Sequence, residues 1–249
     1  MGLIKLSSIL IITLVMVSLI ISLNISLGVK QLLYPQLYEK AIEKININKL
    51  LGEGGTNITY NVSGLLTQII EKSLSYVRGE SERENLYLEI EKNITPEGRL
   101  QQKINVLDLF DKEGTLTNAK TYVNYYNKGI LLIEGLILFL TIIILLINGK
   151  NFNSSIRWVG IALIIAGIIV IIISSIIGNL LYTQISTSFP IIQPGITQLI
   201  TPIFHAIKIN GIITLIIGFL MLITPIFLPN KKEKEEPEEK KSVKVTKTK

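Results

Sequence analysis

Three ionisable side chains sit within or at the rim of long apolar runs: Glu134, His205 and Lys208. His205 is the only histidine of the chain. An imidazole held by a carboxylate is a general base, so His205 oriented by Glu134 would suit proton abstraction or acyl transfer. The competing arrangement is structural. Glu134 paired with Lys208 would pin two helices together, and His205 would face water. Interfacial depth favours that ion pair, because charge there costs far less than at the bilayer centre. Other chemistry is poorly represented. The chain has no cysteine, which excludes disulfides, thiolate metal sites and a cysteine nucleophile. It carries no phosphate-binding loop, dinucleotide fingerprint, serine–histidine–acid order or metal-ligand cluster, so no cofactor and no metal are expected. The sequence leans away from an enzyme.

The elements that must position these residues follow from hydropathy. Of the 249 residues 48% are hydrophobic, with a mean hydropathy of +0.48. The apolar residues fall in four blocks nearly free of charge, each long enough at 1.5 Å per residue to cross a hydrocarbon core of about 30 Å. The spans predicted are 6–27, 129–148, 156–182 and 207–228. The first is too long for the apolar region of a cleaved signal peptide and reads as an anchor. Glu134 then lies five residues into the second span, about 8 Å below its end. His205 and Lys208 lie at the start of the fourth.

Basic residues orient the spans. Lys150 and Arg157 flank the loop between spans two and three, and Lys231, Lys232 and Lys234 open the tail, whereas 183–198 carries no charge. The positive-inside rule places both termini in the cytoplasm, residues 30–127 outside, and the whole in the cell membrane. Trp158 beside Arg157 suits an inner-interface anchor. The tail, 229–249, holds eight Lys and five Glu beyond residue 230 and reads as disordered. The net charge of +6 is scattered rather than gathered with aromatics, so nucleic acid is not an expected partner. Membrane lipids, or another membrane protein, are. Ala162/Ala166 and Ser174/Gly178 on span three, and Gly211/Gly218 on span four, permit close helix packing within the bundle.

Residues 30–127 are predicted to be mainly helical, which makes the chain an all-α membrane protein with an extracytoplasmic domain between its first two spans. Ser63 can cap a helix from Gly64 to Val77 that Gly79 ends. Leu86, Leu88 and Ile90 alternate with polar residues, as in a short strand or an irregular linker. Thr95-Pro96-Glu97 reads as a second helix start, continued by Leu100, Ile104, Leu107 and Phe110 and stopped by Gly114. A last helix from near Thr117 should run unbroken into span two. The loop 183–206, interrupted by Pro190, Pro194, Gly195 and Pro202, is expected to lie in the outer interface. Asn-x-Ser/Thr sequons occur at Asn24, Asn57, Asn61, Asn93 and Asn153, of which Asn24 falls inside a span.

The order of one span, a helical outer domain and three further spans resembles the lipoprotein intramolecular transacylases, bacterial membrane enzymes that move an acyl chain within the lipidated N-terminal cysteine of a lipoprotein. Two stretches carry the resemblance. Val62–Gly79 looks like the family's helix ending in Tyr-x-x-Gly, here Tyr76 to Gly79. Thr95–Phe110, TPEGRLQQKINVLDLF, stands where the family has Glu-x-x-His-Met-x-Asp-Val. The motif's Glu, His and Asp fall on Arg99, Gln102 and Asn105, while Val106 and Leu109-Phe110 agree. Glutamine cannot serve as a general base and asparagine holds no charge. The resemblance therefore implies a divergent or inactive relative and transfers no catalytic residue.

Overall fold

The computed structural model describes residues 2–45, 62–82, 86–95, 98–105, 114–149, 151–188 and 192–227. Four of its helices are long and apolar enough to cross a membrane: α1 (Gly2–Val29), α4 (Thr115–Asn148), α5 (Phe152–Ser188) and α6 (Gln193–Phe227). Their cores are runs of Ile and Leu. In lipid such runs must satisfy every backbone group internally, which the helix does. Between α1 and α4 come a 3-10 turn (Lys30–Leu33), α2 (Pro35–Lys44), α3 (Val62–Arg78) and two strands, β1 (Tyr87–Thr95) and β2 (Gly98–Asn105). The 3-10 turn, α2 and α3 form a cap at one end of the bundle, with α2 packed on α6 and α3 on α2 and α4, and the two strands form a hairpin. The expected tail, 229–249, lies outside the described residues.

α5 and α6 are the most closely packed pair, antiparallel and in backbone contact. A Cβ on Gly167 would meet the Gly211 carbonyl oxygen at 2.8 Å, and one on Gly160 would meet that of Gly218 at 2.9 Å. Side chains of any size would hold the helices apart, so the seven-residue spacing on α6 has a matching one on α5. The small residues act within the chain. Ala162 and Ala166 are fully buried with Met16, Val17 and Ile20 of α1 and Ile144 of α4. Asn24, inside α1, is also buried. Its Nδ2 donates to the Ile20 carbonyl at 2.8 Å, and the Thr214 hydroxyl is shared between Asn24 Oδ1 at 3.1 Å and the Asn210 carbonyl at 2.8 Å. That burial makes the Asn24 sequon a helix-packing residue. α4 is peripheral: 6% of its apolar window is buried, against 33% for α5, and it packs on α1 and α5 rather than on α6.

α3 ends as its sequence requires. Gly79 takes φ of +77°. Its N–H donates to the Tyr76 carbonyl at 2.9 Å, and Glu80 N–H to that of Ser75 at 2.9 Å, the paired bonds of a Schellman C-cap. The helix begins at Val62, one residue before its predicted cap, so Ser63 falls within the first turn. Arg78 fastens α3 to the bundle. Its Nη1 donates to the Leu33 carbonyl at 3.1 Å and its Nη2 pairs with Glu80 at 2.6 Å. Tyr76 and Leu86 are buried against Ile69 and Leu116, and Lys120 Nζ stands 4.4 Å over the Tyr76 ring. The amphipathic α2 lays Leu37, Ala41 and Ile42 inward, and its end fits over Gly195 of α6. The Tyr38 hydroxyl donates to the Leu32 carbonyl at 2.8 Å, and burial pushes its pKa above the usual tyrosine value.

Three expectations change. β2 occupies the place of the helix predicted from Thr95: it pairs antiparallel with β1 from Tyr87↔Asn105 to Thr95↔Gly98, with an irregularity between Asn93 and Thr95. The mainly helical reading of this region therefore needs a hairpin added, and the alternation at Leu86, Leu88 and Ile90 is resolved as strand. Pro96, Glu97, Leu107 and Phe110 lie outside the described residues, and Gly114, at φ +70°, precedes α4. Second, most of the loop predicted at 183–206 is helical: α5 continues to Ser188 and α6 starts at Gln193. Pro194 sits in the first helical turn, where its missing N–H costs nothing, and Pro202 lies within the helix. Third, the bounds of 129–148 and 156–182 widen, because α4 runs without interruption from Thr115 and α5 from Phe152.

Candidate functional site

At the cap end, α5 and α6 part just enough to leave a groove of about 400 Å³. Gly178 sets the separation, since a Cβ there would lie 3.3 Å from the Phe204 ring. α5 contributes Ser174, Ser175, Asn179 and Tyr182 to one wall. α6 contributes Thr197, Thr201, His205 and Lys208 to the other, at the i, i+4, i+8, i+11 spacing of a single helix face. Ile185, Ile200 and Phe204 supply the apolar lining. The Ser174 hydroxyl is committed to the Ile171 carbonyl at 3.0 Å. His205 and Lys208, at the end of the groove nearer the membrane, are exposed, so the groove opens sideways.

Two of the three candidate residues thus meet, and the third does not. Glu134 is exposed on α4 and does not line the groove, and no ion pair joins it to Lys208. Among the described residues the ion pair within 4 Å is that of Arg78 with Glu80. Depth along each helix is readable from sequence, whereas adjacency is not: α4 and α6 lie on different sides of α1 and α5. The polar residues that share the groove with His205 were not singled out as a site. Their signal was present, as a stripe of hydroxyls and amides at helical spacing through Ser175, Asn179 and Tyr182 and through Thr197, Thr201 and His205.

Chemically the groove offers hydroxyl and amide donors, one ammonium and one imidazole, with no carboxylate among the described residues of its wall. A lysine and several hydroxyls suit an anionic oxygen cluster. The same set lacks the acid that would orient His205 as a base. Among the described residues no three His, Cys, Asp or Glu side chains converge on a point where a metal ion could sit. No family model, no curated protein and no solved structure matches this chain.

Proposed function

We propose that this chain is a non-catalytic multi-pass protein of the cell membrane whose outer side binds a lipid headgroup. The observation that carries the reading is the α5–α6 groove, with Lys208 and His205 at its end nearer the membrane and apolar helix surface beneath. In this reading both termini are cytoplasmic, and the cap, within 30–127, is extracytoplasmic. Lys5 and Arg157, at the opposite end of the bundle, and the basic residues in the sequence of the second loop and tail support that orientation, as do exposed Tyr34, Tyr122, Tyr125 and Tyr182 at the cap end, where an aromatic belt belongs. The absence of any native cysteine makes the orientation directly testable. A cysteine at exposed Gln36 should react with a membrane-impermeant maleimide in intact cells, and one at exposed Asn151 only after lysis. The reverse pattern would overturn the orientation.

Lipid binding has its own test. Phosphatidylglycerol added to the detergent-solubilised protein should raise its melting temperature, since a ligand at a hundredfold excess over its Kd stabilises by about 2.7 kcal/mol. Phosphatidylcholine should raise it far less. Lys208→Met with Thr201→Val should abolish the difference between the two lipids while leaving the lipid-free melting temperature near its original value, because both side chains are exposed. An unchanged preference in that double variant would remove the groove from consideration.

A second reading, a membrane acyltransferase akin to the lipoprotein intramolecular transacylases, draws on Ser175 and His205 lining one groove. It is the weaker reading on this chemistry. Glu134 stands apart, and Arg99 and Gln102, at motif positions, lie on a strand of the hairpin. Under it, His205→Ala would abolish lipoprotein acyl migration in cells; under the reading preferred here, that change leaves lipoproteins untouched.

A further inference from the structure

α4 carries a feature that lipid binding in the groove does not use. Residues 129–148 contain a single charged side chain, Glu134. Tyr122 and Tyr125, 73% and 66% exposed, mark the rim of the apolar zone. Glu134 lies nine residues beyond Tyr125, about 13 Å along the axis, and fifteen residues short of Gly149, about 22 Å from the other end. It is exposed, on a helix whose apolar window is nearly all unburied. Leu131 and Leu138, one turn above and one below, are 66% and 67% exposed. Gly135, beside it, has nothing within 4 Å of where its Cβ would be. A carboxylate facing hydrocarbon at this depth is costly, and such residues elsewhere turn toward protein or pair with an opposite charge. Among the described residues no ion pair reaches Glu134, which stands one turn from buried Ile130 at the flank of the surface that α4 packs on its neighbours, level with exposed Leu131 and Leu138.

We infer that this face of α4 docks a transmembrane helix of another protein, one that carries a lysine or arginine in the half of the bilayer nearest the cap. Charge complementarity selects that partner. A second copy meeting this one through the same face would set Glu134 near Glu134, and the cation of its α4 nearest in sequence, Lys128, lies six residues toward the cap and on another face of the helix, residues 129–148 holding no Lys or Arg. The docking face is separate from the groove, since Glu134 lies on α4 and the groove between α5 and α6.

The test uses the full chain in phosphatidylcholine vesicles, labelled at an introduced cysteine, with a labelled 22-residue Leu/Ala transmembrane peptide as probe. The peptide carries one lysine at the depth of Glu134, and its control carries methionine there. Energy transfer should report association with the lysine peptide about tenfold tighter than with the control. Glu134→Gln should abolish the preference. Leu131→Ala with Leu138→Ala, on the same face and both mostly exposed, should weaken association with the lysine peptide while leaving the melting temperature of the chain unchanged. Equal association of the two peptides overturns the inference. So does a lysine preference that persists in Glu134→Gln, or transfer between copies of the chain that depends on Glu134 while the peptides are ignored.

Discussion

A Gly167→Leu chain should fail to form the folded bundle, and Gly167→Ala should already be destabilised by about 1–3 kcal/mol, the usual cost of forcing extra volume into a packed interface. The atoms in the way explain the size of the effect. A Cβ at Gly167 meets the Gly211 carbonyl oxygen at 2.8 Å and the Leu215 backbone nitrogen at 2.9 Å. Neither is the end of a flexible side chain, so relief requires α5 and α6 to separate along their whole seam. That separation would uncover Val170, Ile203 and Ile207, which form a second buried cluster. The measurement is thermal unfolding of the purified protein in detergent. Gly129→Ala is the matched control, because no atom lies within 4 Å of its would-be Cβ. Relief of glycine's backbone entropy there should leave stability equal or raise it by about 0.5–1 kcal/mol. A Gly167→Leu protein melting with the parent would show that the α5–α6 contact is not the core of the fold.

Arg78→Ala should free the cap from the bundle while the membrane helices keep their fold. The guanidinium makes two connections in one place. It donates to the Leu33 carbonyl and it pairs with Glu80. Hydrogen bonds from a charged donor contribute about 1.5–3 kcal/mol each. The Glu80 carboxylate is 57% exposed, so its share is discounted for solvent. Hydrogen exchange should show the loss as faster exchange across α3 and the Lys30–Leu33 turn, with α5 and α6 protected as before. Arg78→Lys should recover only part of it, since an ammonium lacks the fork that reaches Leu33 and Glu80 together. Unaltered protection in α3 would show that Tyr76 and Leu86 hold the cap without it.

What could be read from the residues alone depended on whether one periodicity excluded the others. The four spans were legible because uninterrupted Ile/Leu runs admit little else in lipid. Gly79 was legible as a stop because an αL residue ends a helix in a specific way. The β2 strand was not. Leu100 and Ile104 stand four apart, a spacing that fits one face of a helix and equally one face of a strand, and Thr-Pro-Glu supplied a plausible helix start. The helical course of most of 183–206 is hidden for a related reason: proline breaks a helix in its interior, yet suits the first turn, where Pro194 sits. As for the site, each charged residue's depth could be counted, but no pattern within a single sequence states which helices are neighbours. Lys208 and His205 meet because they are three apart on α6; Glu134 was assigned to them on depth alone.

The unbroken course of α4 has a mechanical meaning. Thirty-four residues make a rod about 50 Å long. Its upper turns belong to the cap, where Leu116 joins the Tyr76 cluster and Lys120 covers the ring. Its lower turns carry Glu134 and end on Gly149. No proline interrupts it, so it has no hinge at the membrane surface. A torque applied to the cap is therefore delivered undiminished to the face that bears Glu134. A helix seated against that face would in turn lean on the cap, like a hand on the short arm of a lever.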